Sequence, residues 1–566
     1  MPSSLARTFA LGASAFVFTT GAASAATTVA AVPRAAFSDL GRAPAGVRLE
    51  LALTLAYRNV ALLHQLERLQ RDPASPAYAR WLSNAEFADA FAPTPAQYAR
   101  VAATLRGAGF TVTQTFANRT VIDASGTVGA AEKLFATEIH RVLQPGRGER
   151  YVNIRPAPAP PALEGLITSV DGLHDLSVVR SAIARVRPRA GAQFEDDLEP
   201  DAAGQPLKGP VSGETHQSGF GPLAFSAGYD LPQQHEIEPR RYYDGSGRAS
   251  GVVIDADFLD SDLAAFLRYF KVTRDGPATT RVAIDGGPPG GDGSPDSLET
   301  TLDVETIVSN APGTALYVYE FPSFDNTAYI TDAYNRVVSD NIVDTANSSF
   351  GGCETSIGAS TDRAWDQIAE QGAVKGITFH ASSGDGGSDG GCVSAPASGP
   401  HFVAVGGTSL SVTAKGKYVS ESAWSGSGGG VSTVFSLPSF QAGVPNTIAS
   451  GRNVPDVAFD ANPSTGAAFY YGGSWDTAYD PLGGTSLSSP IFGAALTEID
   501  QLLGTRSGYF NPALYAFFAK NGYGSKKSPY FHDVTSGGNG EYKALTGYDQ
   551  VTGIGSLDVF NTGEAL

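Results

Sequence analysis

The sequence predicts an α/β protein in which a large domain, built on a parallel β-sheet with helices on both faces, follows a smaller α+β domain. Over residues 220–566, short continuous apolar runs alternate with helix-like stretches, as in strands that are buried on both sides of a sheet. Over residues 26–184, the patterns of strands and amphipathic helices are mixed. The length of 566 residues suits about two or three domains of this kind.

The first 25 residues predict a signal peptide. A short segment with Arg7 precedes the mostly apolar stretch 8–20, and Ala23, Ser24 and Ala25 form an A-x-A cleavage site. The alternative is a transmembrane anchor, but the apolar stretch is shorter than the roughly 20 residues that cross a bilayer. We therefore expect a secreted, extracellular protein with no membrane segment.

The chain is acidic, with a formal net charge of -18. This charge disfavours binding to nucleic-acid phosphates or to anionic membranes, so neither is expected as a partner. In acid the carboxylates are partly protonated, and the same composition then carries less negative charge. The composition therefore also suits a protein that works at low pH.

The chain has two cysteines, Cys353 and Cys392. Two cysteines are too few for a disulfide framework or a cysteine-based metal cluster. In an oxidising compartment they form either one bridge or two buried thiols, and we favour the bridge.

The smaller domain, residues 26–184, is predicted to have the order β-α-β-β-α-β. Apolar alternation over 47–53 indicates a strand, and apolar residues three and four apart over 59–69 indicate a helix. Thr94 and Pro95 open a second helix, which stops at glycine. Two paired strands, a helix and a last strand follow in TVTQTF, RTVIDAS, TVGAAEKLFAT and EIHRVL.

Residues 185–219 are predicted to form an exposed linker. This segment loses apolar periodicity and gains Arg, Asp, Glu, Pro and Gly. Exposed segments of this kind are the preferred sites of proteolysis.

The larger domain, residues 220–566, supplies the strands of the predicted parallel sheet. They lie in GVVID, ALYVYE, NIVDTANSS, GITFHASS and HFVAVGG, and STDRAWDQIAEQGAVK is one of the helices between them. In such sheets the active residues lie in loops that leave the carboxyl ends of strands. The loops with Gly351, Gly384 and Gly406 are therefore expected to carry the site.

Ser486 is the candidate nucleophile. It follows two glycines and Thr485 in GGTSLSSP and precedes an apolar helix. Glycines let a substrate backbone come close, and the positive field of a helix N-terminus stabilises negative charge on an attacked carbonyl. The alternative is that Ser486 is an ordinary helix N-cap.

A nucleophilic serine needs a base, which is normally a histidine. None of the eight histidines stands in an HGT motif. In SPDSLETTLDVET, Glu299 and Asp303 lie four residues apart and so face one side of a helix. Two adjacent carboxyls share a proton, and such a pair can serve as a base in acid. The structural alternative is a capping box of Asp296 and Glu299, with Asp303 on the helix surface.

Asp385 is the third candidate, in SSGDGGSDGG directly after a predicted strand. A neutral carboxylic acid there would donate a hydrogen bond to an oxyanion. The alternative is an aspartate in a glycine-rich turn, and Asp389 is a rival for the same role.

Together these residues resemble the sedolisin family of serine-carboxyl peptidases. The resemblance spans roughly residues 220 to 566. Because several motifs occur in the same order, the probability of a chance similarity is very small. Residues 26–184 are similar to the family's propeptide, through SPAYARWLSNAEFADAFAPT and the ASGTV run. The motifs of the larger domain are SLETTLDVE, SSGDGG, PASGPHFVAVGGTSL, SGSGGGVSTVFSLPSFQ, RNVPDVAFDANPSTG, GGTSLSSP, FHDVTSGGNG and GYDQVTGIG.

The resemblance implies a subtilisin-like catalytic domain after a ferredoxin-like inhibitory prodomain. It implies that Ser486 is the nucleophile, that Glu299 is the general base and acid, and that Asp303 orients Glu299. Asp385 would lie in the oxyanion hole. The implied partners are protein or peptide substrates and the chain's own prodomain, in a monomer.

The resemblance also implies one structural Ca2+ near the carboxyl terminus. All-oxygen ligation from loops suits this ion, whereas the alternative is two unrelated glycine-rich turns. Position 545 departs from the family, in which glycine is usual. The implied ligands are the side chains of Asp533 and Asp549 and the backbone carbonyls of Val534, Leu545 and Gly547.

Two further positions concern the proton network of the site. A tryptophan that the family uses near NIVDTANSSF is absent, and Phe350 is the nearest aromatic residue. An acidic residue of the family that supports the triad corresponds to either Asp255 or Asp257.

We expect a secreted, acid-active serine endopeptidase that is made as a zymogen. Three alternatives stay open. The first is a tripeptidyl peptidase on the same fold, the second is a binding protein that keeps the fold without the chemistry, and the third is a histidine-dependent subtilisin with His380 or His401 as its base.

Overall fold

The computed structural model describes residues 28–31, 37–176, 179–185, 219–238, 241–288, 297–413, 415–475 and 481–566. The predicted signal peptide and all but the two ends of the predicted linker lie outside these ranges. Asp296 of the predicted capping box also lies outside them.

The N-terminal domain is built on a four-stranded antiparallel sheet. Its strands lie in the spatial order Thr111–Thr115, Val121–Thr127, Arg48–Leu55 and Ile167–Asp171. Helices connect the first strand to the second and the third to the fourth in chain order, so the ferredoxin-like arrangement is confirmed. The helices are Val60–Arg71, Asn84–Ala90, Pro95–Gly107 and Val128–Leu134.

The fourth strand of this sheet is not the predicted one. EIHRVL does form a strand, Ile139–Gln144, but it pairs with Ser38–Arg42 and Gly148–Asn153 in a separate sheet. Ile167–Asp171 takes the fourth position beside Arg48–Leu55. Local alternation predicts that a segment is a strand but does not say which partner it pairs with, so this part of the prediction was wrong.

The helix start predicted at Thr94 is confirmed and has a clear local cause. The Thr94 hydroxyl accepts a hydrogen bond from the Gln97 backbone at 3.2 Å, and the Gln97 side chain accepts one from the Thr94 backbone at 2.8 Å. This reciprocal pair is a capping box, and Pro95 occupies the first helical turn, where it needs no donor.

The larger domain contains the predicted parallel sheet. Six strands run parallel, and Val457–Asp460 also joins the last of them in parallel, whereas Tyr418–Ala423 pairs with it antiparallel. In spatial order the six are Thr280–Ala283, Ala315–Glu320, Ala249–Ile254, Thr345–Ser348, Thr378–Ser382 and Phe402–Val412.

Two pairs of packed helices cover the two faces of this sheet. One pair is Ser297–Asn310 with Thr485–Leu503, and the other is Thr327–Asp340 with Ala359–Val374. The strands inside the edge strand Thr280–Ala283 are largely buried on both faces, which explains why they read as continuous apolar runs. The subtilisin-like α/β architecture is therefore confirmed.

The sheet of the N-terminal domain packs on the second helix pair, and this interface brings titratable groups of both domains together. His64 lies 2.9 Å from Glu370, and His401 lies 3.4 Å from Glu67. A separate cluster brings buried Asp123 of the N-terminal domain next to buried Asp332.

Cys353 and Cys392 form a disulfide, as favoured from the sequence, with their Cα atoms 5.6 Å apart. Cys353 ends the strand Phe350–Cys353, and this strand pairs with Ser394–Ala395, close after Cys392. Within the described ranges, none of the helices is both long and apolar enough to span a bilayer.

Candidate active site

Ser486 is fully buried and is the second residue of the helix Thr485–Leu503. The cap of this helix is Gly484, with φ of 94°, so Ser486 is not the N-cap. Its Oγ donates a hydrogen bond to the carbonyl of Ser349 at 3.1 Å. The serine therefore lies in the positive field of a helix N-terminus, next to the end of the strand Thr345–Ser348.

Glu299 and Asp303 lie on the helix Ser297–Asn310, which packs against the Ser486 helix. Both carboxyls are buried, so Asp303 is not on the helix surface. Burial raises the pKa of Glu299 well above its usual value and Asp303 raises it further, while the nearby Ser486 hydroxyl favours the charged form. Burial likewise raises the pKa of Asp303. The pair therefore holds at least one proton in acid.

Asp303 is held by a chain of buried hydrogen bonds that the sequence did not reveal. Its Oδ1 accepts from the Ser349 hydroxyl at 2.6 Å, and that hydroxyl accepts from Asn347 Nδ2 at 2.9 Å. Asn347 accepts in turn from the Ser489 hydroxyl at 2.7 Å. The strand that ends before Ser349 therefore fixes the orientation of Asp303.

No histidine among the described residues contacts the Ser486 hydroxyl. His380 is buried, and its Nδ1 lies 3.0 Å from Ser489 Oγ. Burial lowers the pKa of His380 to about 3, so its ring stays neutral. His401 lies at the domain interface, where Asp366 is 3.0 Å away. The geometry gives no support to the histidine-dependent alternative.

Asp385 lies in the loop after the strand Thr378–Ser382. Its Oδ1 accepts from the Thr485 backbone at 2.8 Å and from the Thr485 hydroxyl at 2.9 Å. Its Oδ2 is buried and has no hydrogen-bond partner among the described residues. Burial raises the pKa of Asp385 to about 7, so the carboxyl is neutral in acid and its proton is available at Oδ2. The side chain of the rival Asp389 lies outside the described part of the structure.

Asp255 and Asp257 have different surroundings. Asp255 raises the pKa of Glu299 and borders the same cavity. Asp257 instead accepts a hydrogen bond from Arg281 at 2.5 Å. Of the two acidic candidates, Asp255 is therefore the one beside Glu299.

Residues 179–185 of the N-terminal domain run through the cleft above Ser486. Arg180–Ser181 pairs antiparallel with Phe350–Cys353, and Ala184–Arg185 pairs antiparallel with Leu482–Gly483. Between these pairs, the carbonyl of Ala182 accepts a hydrogen bond from the Ser486 backbone at 2.9 Å. The segment therefore occupies the cleft.

The five candidate calcium ligands lie in two adjoining C-terminal loops. The backbone of Gly547 donates to Asp533 Oδ1 at 3.1 Å, and the backbone of Leu545 donates to Asp549 Oδ2 at 2.9 Å. Burial raises the pKa of Asp533, and it raises that of Asp549 to about 6. Two carboxylates in adjoining loops, both costly to ionise, are a donor set that fits a hard divalent cation.

A buried serine at a helix N-terminus, with carboxyls beside it and a neutral acid facing the same cleft, is equipped for acyl transfer. No metal cluster or histidine is needed for this chemistry. On a subtilisin-like sheet, this arrangement defines a serine peptidase.

Comparisons with known proteins agree with this class. Residues 35–176 match the model of the pro-kumamolisin activation domain, and residues 291–510 match that of the subtilase family. Sedolisin from Pseudomonas sp. (strain 101) is 31% identical over 548 residues, which cover 91% of this chain and 86% of that protein. Kumamolisin from Bacillus sp. (strain MN-32) is 31% identical over 464 residues, which cover 76% of each protein.

A solved structure of Pseudomonas sedolisin, a serine-carboxyl proteinase complexed with two molecules of pseudo-iodotyrostatin, has a TM-score of 0.52 and 29% identity. It covers 62% of this chain and 98% of that chain. The present chain belongs to the sedolisin family, with an activation domain before its peptidase domain.

Proposed function

We propose that this chain is the zymogen of a secreted endopeptidase that works in acid through an acyl-enzyme on Ser486. Residues 1–25 direct export, residues 26–184 inhibit the enzyme, residues 185–219 link the two domains, and residues 220–566 form the peptidase, which acts as a monomer. The proposal depends above all on one observation, the buried Glu299 and Asp303 pair next to a serine that contacts no described histidine.

Glu299 is the general base. The Ser486 hydroxyl turns from the Ser349 carbonyl to Glu299 and gives up its proton as the oxygen attacks a peptide carbonyl carbon. Asp303 orients Glu299 and stabilises the shared proton. Glu299 then protonates the leaving amine, and water hydrolyses the acyl-enzyme by the same route in reverse.

Asp385 and the Ser486 backbone N-H stabilise the oxyanion. The Asp385 carboxyl must be neutral to donate through Oδ2, and its pKa is raised to about 7 by burial. The donor is present below this pH and is lost as the pH rises through it. Glu299 and Asp303 together must have lost one proton, which sets the acid limit of activity.

The path of residues 179–185 supports an endopeptidase. A tripeptidyl peptidase needs a cleft that closes three residues upstream of the attacked bond. If Ala182 is the first residue upstream of the attacked bond, Arg180 is the third. The chain does not end there but continues through buried Val179 into the N-terminal domain. The cleft therefore accepts a chain that extends in both directions.

Digestion of one denatured protein at several acidic pH values tests this proposal. The expected products are internal peptides, with a rate that peaks in acid and fades as the pH rises through about 7. Ser486→Ala should abolish the cleavage. The matched control Ser464→Ala, which removes an exposed hydroxyl, should retain it. A maximum above pH 7, or full activity in Ser486→Ala, would refute the mechanism.

We also propose that Asp533, Val534, Leu545, Gly547 and Asp549 hold one structural Ca2+. The exposed Leu545 side chain and its ordinary backbone φ explain how this position departs from glycine. When bound, the ion would neutralise the two carboxylates and brace the loops.

Thermal melting with and without chelator tests the calcium proposal. Removal of Ca2+ should lower the Tm, and Asp533→Asn should lower it in the same way and make it insensitive to chelator. The control is Asp325→Asn, at a partly exposed carboxylate far in sequence from these loops. It should keep the parent protein's response to chelator. A Tm that chelator leaves unchanged in the parent protein would contradict the proposal.

A further inference from the structure

The segment 179–185 lies in the cleft in the manner of a bound substrate, which makes one of its peptide bonds a candidate for chemistry. Within the described part of this segment, each half pairs with a different strand of the cleft wall. The change of partner occurs at Ala182 and Ile183. These two residues therefore lie where the chain passes the nucleophile.

The upstream half is fixed by antiparallel pairing. Arg180 lies opposite Gly351, and Ser181 lies opposite Phe350. The backbone N-H of Ala182 continues the ladder by donating to the Ser349 carbonyl at 3.1 Å. The same carbonyl accepts the hydrogen bond of the Ser486 hydroxyl. The Ser349 carbonyl therefore positions both Ala182 and the nucleophile.

The Ala182 carbonyl is held at the position where an oxyanion would form. The Ser486 backbone donates to it at 2.9 Å. A Cβ on Gly484 would lie 2.3 Å from this oxygen and 2.5 Å from Asp385 Oδ2. Both oxygens therefore border the space that Gly484 leaves free, and the unpartnered Oδ2 faces the same space as the Ala182 oxygen.

The downstream half is fixed on the other side of the nucleophile. Ala184 lies opposite Gly483, and Arg185 lies opposite Leu482. The Ala184 nitrogen is 2.6 Å from the position of a Gly484 Cβ. A chain that is clamped on both sides holds the bond between them still, which is the condition for efficient intramolecular attack.

We propose that the first self-cleavage of the zymogen occurs between Ala182 and Ile183. This inference rests on the proposed function of Ser486, Glu299 and Asp385. What it adds is the position of the bond within the chain's own segment 179–185.

In this step Ser486 Oγ bonds to the Ala182 carbonyl carbon, and its proton passes to Glu299. The carbon–nitrogen bond to Ile183 breaks, and Glu299 returns the proton to the Ile183 nitrogen, which leaves as an amine. Water then supplies the hydroxyl that converts the Ala182 ester into a carboxyl group and regenerates the Ser486 hydroxyl.

The termini of the earliest products test the position. Purified full-length zymogen is shifted to acid, quenched after short intervals and analysed by intact-mass measurement and N-terminal sequencing. The expected first products are a fragment that ends at Ala182 and a fragment that begins at Ile183. Their rate should be first order and unchanged by tenfold dilution.

Ile183→Pro tests the same bond by mutation. Proline replaces the N-H of this peptide by a ring carbon between Ala182 and Ala184, which both border the space at Gly484, and we expect the cut to slow by about 100-fold or more. Ala190→Pro is the matched control, because it places the same residue in the predicted linker, away from the proposed bond. It should be cleaved at the rate of the parent protein.

The outcomes separate this inference from the proposed function. An earliest terminus at another bond in a zymogen that becomes active, or a rate that falls with dilution, overturns the position or the intramolecular step and leaves the proposed function standing. A parent protein that neither cleaves itself nor hydrolyses added protein overturns both. If Ile183→Pro fails to give the parent's circular dichroism spectrum and Tm, the termini of the parent protein decide alone.

Discussion

At the scale of single residues, Asp385 shows how burial sets the pH at which a site works. Thr485 occupies its Oδ1 with two hydrogen bonds, which leaves Oδ2 as the only atom for a proton to be donated from. In water an aspartate would lose this proton near pH 4. Burial keeps it until the pH reaches about 7.

Two variants of Asp385 should behave differently. Asp385→Ala removes the donor and should lower kcat by about 10²–10³, as for other oxyanion-hole donors. Asp385→Asn keeps a donor that does not titrate, so it should retain more activity and lose the decline near pH 7. Steady-state kinetics from pH 3 to 9 checks this. An unchanged decline in Asp385→Asn would assign it to another group.

The sequence alone predicts the candidate catalytic residues but not the residues that fix their orientation. Ser486, Glu299 and Asp385 stand in short motifs, and the four-residue spacing to Asp303 is visible on a helix. Ser349 and Asn347 act through their position at the end of a buried strand. Serine and asparagine are common at strand ends, so nothing local marks these two as partners of Asp303.

At the scale of elements, the start of the Ser486 helix depends on Gly484. Its φ of 94° turns the chain so that the helix begins directly under the cleft. Its missing side chain leaves room for Ala182, Ala184 and Asp385 at once. Backbone conformation and ligand space therefore both require glycine here.

Gly484→Ala and Gly504→Ala form a matched pair at the two ends of this helix. Gly504 also has positive φ, 70°, but has no atom within 4 Å of a Cβ. Gly504→Ala should lose about 1–2 kcal/mol from its left-handed backbone. Gly484→Ala should lose more, because its φ of 94° and ψ of 166° suit glycine alone and its Cβ would overlap the Ala182 oxygen. Only Gly484→Ala should also lose self-cleavage and peptidase activity. Thermal melts and activity assays compare them, and an active Gly484→Ala would show that the cleft does not need this space.

Elements with strong local signals were predictable, whereas their partners were not. The capping box at Thr94 and the continuous apolar strands gave the right elements within a few residues. The pairing of Ile167–Asp171 with Arg48–Leu55 joins segments more than a hundred residues apart. The path of residues 179–185 through the cleft is set by the same kind of long-range contact, which periodicity does not encode.

At the scale of the whole molecule, a buried carboxyl makes the domain interface sensitive to pH. Burial raises the pKa of Asp123 to about 8 in the docked state, whereas an exposed aspartate titrates near 4. Docking therefore takes up a proton. It is strongest below about pH 4 and weakens as the pH rises from there towards 8. Glu370 raises the pKa of His64, which acts in the same direction.

Full-length Ser486→Ala, which should stay uncut, allows this docking to be measured. The protection factor of the interface strand 48–55 in hydrogen exchange, which removes the pH dependence of the intrinsic exchange rate, should be largest in acid and should fall towards pH 8. Asp123→Asn in the same background should flatten this dependence, because the amide does not titrate. Asp89→Asn, at an exposed position, should leave it unchanged. Protection that increases with pH would contradict the assignment.

The same argument limits how the zymogen is activated. These interface groups hold the N-terminal domain more firmly in acid, so acid alone does not separate the domains through them. Cleavage of the chain is then what lets the inhibitor leave.

Because the segment 179–185 lies in the cleft like a substrate, the enzyme's substrate preference also decides whether it can cleave its own precursor. The subsites that receive Arg180, Ser181 and Ala182 are the ones that would receive foreign proteins. A change in the cleft that excludes alanine at the attacked position would yield an enzyme that cannot cleave its own segment 179–185. A change of substrate specificity would therefore need two substitutions, one in the cleft and a matching one in the segment. Without the second, the zymogen would stay inactive until another protease cleaved it.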